Sequence, residues 1–371
     1  MNRFMGATQE SLMKNPSILD GALREVFSEV KFDEPLASHT TLDVGGPARR
    51  FVIANNSDQL GEGVKICEQQ RIPYFILGGG SNLIVSDSGF SGVVIKNRAQ
   101  GWKIISDRLS EKAGTETSPP LRLQSPEGKR GVARLTPVGD NYYQADDLEY
   151  SEEDGPTVVV QVESGAKIDP LIKSLLQSGI TGVQWFSGIP ATVGGAIYMN
   201  MHGGYHFFGE LVVKAKLAGS GALKEVNHDY FQFDYDRSIL HDTKETVLWA
   251  QLRLFRGDVE RAKATAREWA RRKALQPQKS AGCIFRNLTA EEQRALHLPT
   301  PSIGYLVGHL LKLKGERRGD AIISPRHAAF IENLGAARAA EVKALVDLMA
   351  QRAKTELGIV LKPEIEFVGD F

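Results

Sequence analysis

Three consecutive glycines lie between two apolar runs: Tyr74-Phe75-Ile76-Leu77 leads into Gly78-Gly79-Gly80-Ser81-Asn82, and Leu83-Ile84-Val85 follows. Glycine loses more backbone freedom on folding than any other residue, so a triplet joining two packed strands needs something close to its backbone. One reading is a plain tight turn. The other is a concavity of exposed amide N–H groups, most often a cradle for phosphate, with Ser81 and Asn82 adding side-chain hydrogen bonds at its lip. The dinucleotide fingerprint is excluded, because its sixth position must be glycine and is Leu83 here. A P-loop is excluded too, since no Gly-Lys-Ser/Thr ending follows and the next segment is strand-like.

A second loop has the same character: Phe186-Ser187-Gly188-Ile189-Pro190-Ala191-Thr192-Val193-Gly194-Gly195-Ala196-Ile197. Pro190 removes a donor and fixes the chain direction. Two glycine-rich loops from distant parts of a chain suggest one long ligand held from two sides, and a dinucleotide with a central pyrophosphate suits.

Both loops resemble signatures of one flavoenzyme family, the UDP-N-acetylenolpyruvoylglucosamine reductases (MurB) of bacterial cell-wall synthesis. Three further blocks do so in family order: His39 to Ala48, Ser280 to Asn287, and Leu361 to Gly369. Together they cover most of the chain from about residue 30. The resemblance implies an α+β fold, with a two-lobed FAD-binding domain of the vanillyl-alcohol-oxidase (PCMH) type and a C-terminal α+β substrate domain. It implies noncovalent FAD, NADPH as reductant, and a UDP-sugar substrate whose enolpyruvyl ether becomes a lactyl ether in peptidoglycan precursor synthesis. The flavin would be held by Thr41, Leu77, Gly78, Gly79, Gly80, Ser81, Asn82, Ser187, Gly188, Ile189, Pro190, Ala191, Thr192, Gly194 and Gly195.

The implied reaction needs a grip on FAD, cations for substrate carboxylate and phosphates, and a positioned acid. The family's usual residue after Ala-Gly is serine, and Cys283 stands there. An unperturbed thiol has a pKa of about 8.5 and releases a proton more easily than an alcohol; the alternative is a small buried residue with no role. Glu364 matches the family's carboxylate near the end of the chain, while Glu366 stands where the family usually has arginine. In Phe233-Asp234-Tyr235-Asp236-Arg237-Ser238, Asp236 occupies the family's arginine slot and Arg237 follows it. Neighbouring strand residues point to opposite faces, so Arg237 either reaches the site through a bulge or the site has lost this cation. The catalytic candidates are therefore Cys283, Glu364 and Arg237. Asn200, Tyr235, Lys273, Asn287 and Arg317 are the candidates for substrate binding. His202 and His206 are four apart, but the glycines between them argue against a helix and no third ligand is evident, so no metal site is expected.

The chain has 371 residues, with Lys+Arg and Asp+Glu both 45, and nothing in that balance suggests nucleic acid as a partner. Two cysteines, Cys67 and Cys283, fit a reducing compartment rather than a disulfide framework. No signal-like or membrane-length apolar run occurs, so a cytoplasmic monomer is expected. The expected organisation is an N-terminal arm at 1–29, the FAD-binding domain at 30–257 with a surface insertion at about 98–155, and the substrate domain at 258–371. Hairpin strands are read at 104–105 and 132–135, helices at 18–30, 60–70, 168–178 and 262–273, and a last helix whose apolar face is Val342, Leu345, Val346, Met349 and Ala353. A strand is read at 358–361. Two other readings stay open: a flavin oxidase or dehydrogenase of the same fold with a different substrate, and, from another class, a flavin- or nucleotide-binding protein without turnover.

Overall fold

Phe51-Val52-Ile53-Ala54 and Val93-Val94-Ile95 are continuous apolar runs, as strands covered on both faces must be. In the computed structural model, which describes residues 16–107, 148–152 and 155–371, they pair in parallel, Val52 opposite Ile95. They form the middle of a four-stranded sheet ordered Lys31–Pro35, Pro47–Ala54, Phe90–Asn97, Tyr74–Leu77. Helix Ser57–Gln69 starts at Asn56, whose side chain accepts from the Gln59 amide at 2.9 Å. It buries Leu60, Val64 and Cys67 against Val52, Val93 and Ile95, and Leu23 and Phe27 from the N-terminal segment join that cluster.

The second lobe is a five-stranded antiparallel sheet, ordered Ala222–Asn227, Val212–Gly219, Thr246–Phe255, Thr157–Glu163, Trp102–Asp107. Helix Ile168–Gln177 and the short helix Val193–Tyr198 pack into its core through Ile168, Leu171, Leu175, Val193 and Ile197. Trp102–Asp107, read from the sequence as the opening of the insertion, pairs with Thr157–Glu163. Most of that insertion, with the strand read at 132–135, lies outside the described residues, as does the first part of the N-terminal arm.

The C-terminal lobe is a four-stranded sheet, Ser280–Cys283, Phe330–Asn333, Ala321–Ile323, Arg317–Arg318. Helix Ala339–Leu357 covers it through the anticipated Val342, Leu345, Val346, Met349 and Ala353. The strand expected at 358–361 is absent. Gly358 takes a left-handed cap (φ +70°) whose amide returns to Ala353 and Lys354, and Val360 is exposed, so no ladder forms there. The strand comes later, at Glu366–Val368, and it leaves its own lobe to pair in parallel with Leu83–Val85, directly behind the first glycine loop. Among the described residues no helix is long and apolar enough to cross a membrane.

Candidate active site

The three lobes enclose one large cavity of about 1870 Å³. It exceeds the usual size for a single drug-sized ligand and leaves space for a dinucleotide with a second molecule. Both glycine loops line it, and they also touch each other. A Cβ on Gly79 would come within 2.5 Å of the Pro190 carbonyl oxygen, and one on Gly78 within 2.7 Å of Thr192 Oγ1. Part of the reason for the glycines is therefore the neighbouring loop itself. Gly80, at φ +73°, lies against the His39 carbonyl, where a side chain is excluded by both space and conformation.

The two loops differ in what their amides do. In the second, Gly188 N–H donates to Asp169, Ile189 to Phe186, Ala191 to Ile189, Val193 to Ala166, Gly194 to Ser164 and Gly195 to Thr192 Oγ1. In the first, the amides of Gly79, Gly80 and Ser81 donate to no acceptor among the described residues, and all three line the cavity. These unspent donors, side by side on the cavity wall, fit the diphosphate of FAD. Gly78, Asn82, Thr41, Gly188, Ile189, Pro190, Ala191, Thr192, Gly194 and Gly195 also line the cavity. Leu77 and Ser187 do not: Leu77 is core, and the Ser187 hydroxyl bonds Asp169 at 3.1 Å.

Against the first loop stands the segment carrying Cys283. Gly282, at φ +81°, puts a register shift between Ser280 and Cys283 along the Phe330–Asn333 strand. Phe285 bridges Pro363, the Arg286 amide donates to Lys362 O, and the Glu364 amide donates to Ile284 O at 3.0 Å. This brings Glu364 alongside Cys283. Asn82 Nδ2 donates to the Glu364 carbonyl at 3.0 Å, so the glycine loop and the carboxylate segment are fastened to each other. Lys273, at the end of helix Val259–Lys273, completes the wall with Cys283 and Glu364.

Enclosure dominates the electrostatics here. It pushes the Cys283 thiol well above the usual range, with the Glu364 charge adding to the rise and Lys273 opposing it. It raises Glu364 well above the carboxylate range, helped by Asp236 and opposed by Arg286 and Lys273. It lowers Lys273, against the pull of Cys283 and Glu364. Both shifts favour the protonated form, the one in which a thiol or a carboxyl can donate a proton.

Tyr235 and Asn287 line the same wall, and the Tyr235 phenol is also raised, chiefly by burial. Asn200 does not reach it: the side chain is buried, bonding Asp234 O and the Gly209 amide, and it supports the turn from behind. Arg237 is outside as well, its guanidinium bonded twice to Asp242 at 2.7 and 2.6 Å on the exterior. Arg317 sits on an exposed hairpin, paired with Asp320. His202 and His206 part company, the first to Asp236 at 3.0 Å and the second to Glu149 at 2.8 Å against the Trp185 ring. Among the described residues no group of three or more His, Cys, Asp or Glu side chains is gathered for a metal ion.

Sequence reasoning missed Asp236 as a site residue. It is buried in a left-handed conformation (φ +50°), one oxygen on His202 and the other without a protein partner. Arg286 was missed too; its guanidinium holds the Tyr235 and Asp236 carbonyls at 3.3 and 2.9 Å. Neither has a spacing signal, because both depend on a turn packing against a strand from another lobe.

Residues 275–368 match the family model for UDP-N-acetylenolpyruvoylglucosamine reductase, C-terminal domain, and residues 147–217 match one described as FAD binding domain. The UDP-N-acetylenolpyruvoylglucosamine reductase of Syntrophus aciditrophicus (strain SB) is 30% identical over 368 residues, covering 96% of this chain and 99% of its own. That of Caldanaerobacter subterraneus subsp. tengcongensis is 30% identical over 362 residues, with 95% and 99% covered. Among solved structures, UDP-N-acetylenolpyruvylglucosamine reductase from Thermus caldophilus aligns with a TM-score of 0.63 at 27% identity, covering 92% of this chain and 98% of that one. The expected fold, a two-lobed FAD-binding domain followed by a C-terminal domain, agrees with these likenesses.

Proposed function

The chain belongs to the UDP-N-acetylenolpyruvoylglucosamine reductase family, and we propose that Cys283, Glu364 and Lys273 carry the proton and charge chemistry of its reaction. It is an oxidoreductase that uses FAD as cofactor and NADPH as reductant. Bound FAD would supply hydride chemistry, relaying reducing equivalents from NADPH to the substrate double bond. The amides of Gly79, Gly80 and Ser81 would hold its diphosphate, with Thr41 and the 188–195 loop around it. Hydride addition to one vinyl carbon leaves an electron pair on the neighbouring carbon, next to the substrate carboxylate. The Cys283 S–H gives its proton to that carbon, and the sulfur keeps the S–H electron pair. Glu364, still carrying its proton, donates a hydrogen bond to the carboxylate oxygen where charge gathers, and Lys273 faces the same charge. Tyr235 and Asn287 contribute hydrogen bonds to the UDP-sugar.

The observation that carries this reading is that the Cys283 thiol and the Glu364 carboxyl, both shifted toward their protonated forms, share one wall with the unspent amides of the first glycine loop. Residues 30–257 act in it as the flavin-holding body and 258–371 as the substrate lobe. A monomer remains part of this proposal, and a cytoplasmic setting fits its free thiols.

Purified protein should be yellow and oxidise NADPH continuously only with the UDP-sugar enolpyruvate present. In Cys283→Ala, flavin reduction by NADPH should keep its rate in a stopped-flow trace, while substrate reduction slows roughly 10²- to 10⁴-fold, the span of a lost general acid. Full turnover in that variant would remove Cys283 from the chemistry.

A further inference from the structure

The first glycine loop is held from behind by a lysine that the chemistry above does not use. Lys96 lies on the central strand Phe90–Asn97, opposite Leu77 in the parallel register, and its Nζ donates to the Gly78 carbonyl at 2.7 Å. It does not line the cavity, whereas Gly78 and Gly79 do. In a trans peptide the carbonyl and the next N–H point in opposite directions. Fixing the Gly78 carbonyl on Lys96 therefore turns the Gly79 N–H away from the lysine. Thr41 does the same two peptides further on: its amide and hydroxyl bond the Gly80 carbonyl at 3.0 and 3.4 Å, which turns the Ser81 N–H away.

The charges around Lys96 lack a counterion. The charged groups facing it are Arg98, just past the end of its own strand, and Lys167, which caps helix Ile168–Gln177 beside the second loop. Both are cations, and among the described residues none of the three forms an ion pair. Burial, with Arg98 and Lys167 adding to it, lowers the ammonium to about 8. A half-buried ammonium bonded to one carbonyl and facing two other cations is stabilised when an anion comes near. The unspent donors of Gly79, Gly80 and Ser81 mark where that anion belongs.

We propose that Lys96 is a positioning residue for the flavin diphosphate, orienting the Gly79 amide into the cavity and supplying charge through the loop from its rear. This rests on the flavin reading given above. Apoprotein titrated with FAD, followed by quenching of flavin fluorescence, tests it. At pH 7, Lys96→Met should weaken FAD binding roughly tenfold to a hundredfold, the size of one charge-assisted hydrogen bond. Lys96→Arg, which keeps the donor and the charge, should stay within about threefold of the wild type. Wild-type affinity should decline as pH rises past about 8, where the ammonium loses its proton, and the arginine variant should not follow, because guanidinium stays charged. If Lys96→Met does not fold, that pH comparison between wild type and Lys96→Arg decides. Unchanged affinity in Lys96→Met, or identical pH profiles for wild type and Lys96→Arg, overturns the proposal and leaves the flavin reading standing. A wild-type apoprotein that takes up no FAD removes the reading and the proposal together.

Discussion

Glu364 stands beside Cys283 and Asp236 in a setting that disfavours its charge. Burial first, and Asp236 second, raise its carboxyl well above the carboxylate range in the folded state, while in the unfolded chain a glutamate ionises above about pH 4.3. Between those two values the folded state holds one more proton than the unfolded. Stability therefore falls as pH rises through this window and is fully present only below it. Glu364→Gln removes that dependence. Its unfolding free energy relative to the wild type should grow with pH from 5 to 8, by at most about 1.4 kcal/mol per unit. Parallel urea-unfolding curves at the two pH values would mean that Glu364 is ionised in the fold. Arg237 gives the opposite expectation, since its pair with Asp242 is exposed. Arg237→Ala should change stability by less than about 1 kcal/mol and leave kcat/KM nearly unaltered; a hundredfold drop in steady-state kinetics would bring that guanidinium into the site. The sequence makes Cys283, Glu364 and Tyr235 legible because each sits in a recognisable block, and Lys273 because it stands at the basic C-terminal end of a helix. Arg237 was misjudged because strand alternation was applied to Asp234-Tyr235-Asp236-Arg237, a tight turn in which Asp236 is left-handed and Asp234 and Arg237 bond each other.

Among elements, the glycine loops were the clearest signal and still only half understood from sequence. A search for a ligand explains Gly79 to Ser81, but Gly78 and Gly79 also serve the contact with Thr192 and Pro190. Gly79→Ala should therefore act as a wedge. A Cβ at 2.5 Å from a backbone carbonyl forces the loops apart, because that oxygen cannot rotate away as a side chain can. We expect FAD affinity to drop by more than tenfold with little change in far-ultraviolet circular dichroism; tight binding in this variant would show that the loops yield freely. The long helices and central strands were legible from periodicity, since one apolar face fixes each. The strand Glu366–Val368 was not. Three residues carry no period, and its partner Leu83–Val85 is distant in sequence, so the nearer apolar run at 358–361 drew the assignment instead.

At the scale of the whole molecule, the cofactor cavity is also the junction of the lobes. Asn82 to Glu364, Thr41 to Ser280 O at 2.6 Å, and Asn333 to Leu42 O at 3.0 Å all cross from the flavin-binding body to the C-terminal lobe around it. A ligand filling that junction binds only the folded state. FAD at a hundred times its Kd should thus add about 2.7 kcal/mol to stability, read as a rise in Tm by calorimetry. An unmoved Tm at saturating FAD would place the flavin outside the folded junction. The domain order was legible because the signature blocks occur in sequence, whereas the mutual clasping of the lobes was not, since each cross-lobe bond is a single pair with no local pattern.

The parallel pairing of Glu366–Val368 with Leu83–Val85 also sets a clock on biosynthesis. Asn82 leaves the ribosome 282 residues before the glutamate whose carbonyl it will hold. At about 5 to 20 residues per second, that interval lasts roughly 15 to 55 seconds. Throughout it the nascent flavin cradle has a bare edge and lacks its far wall.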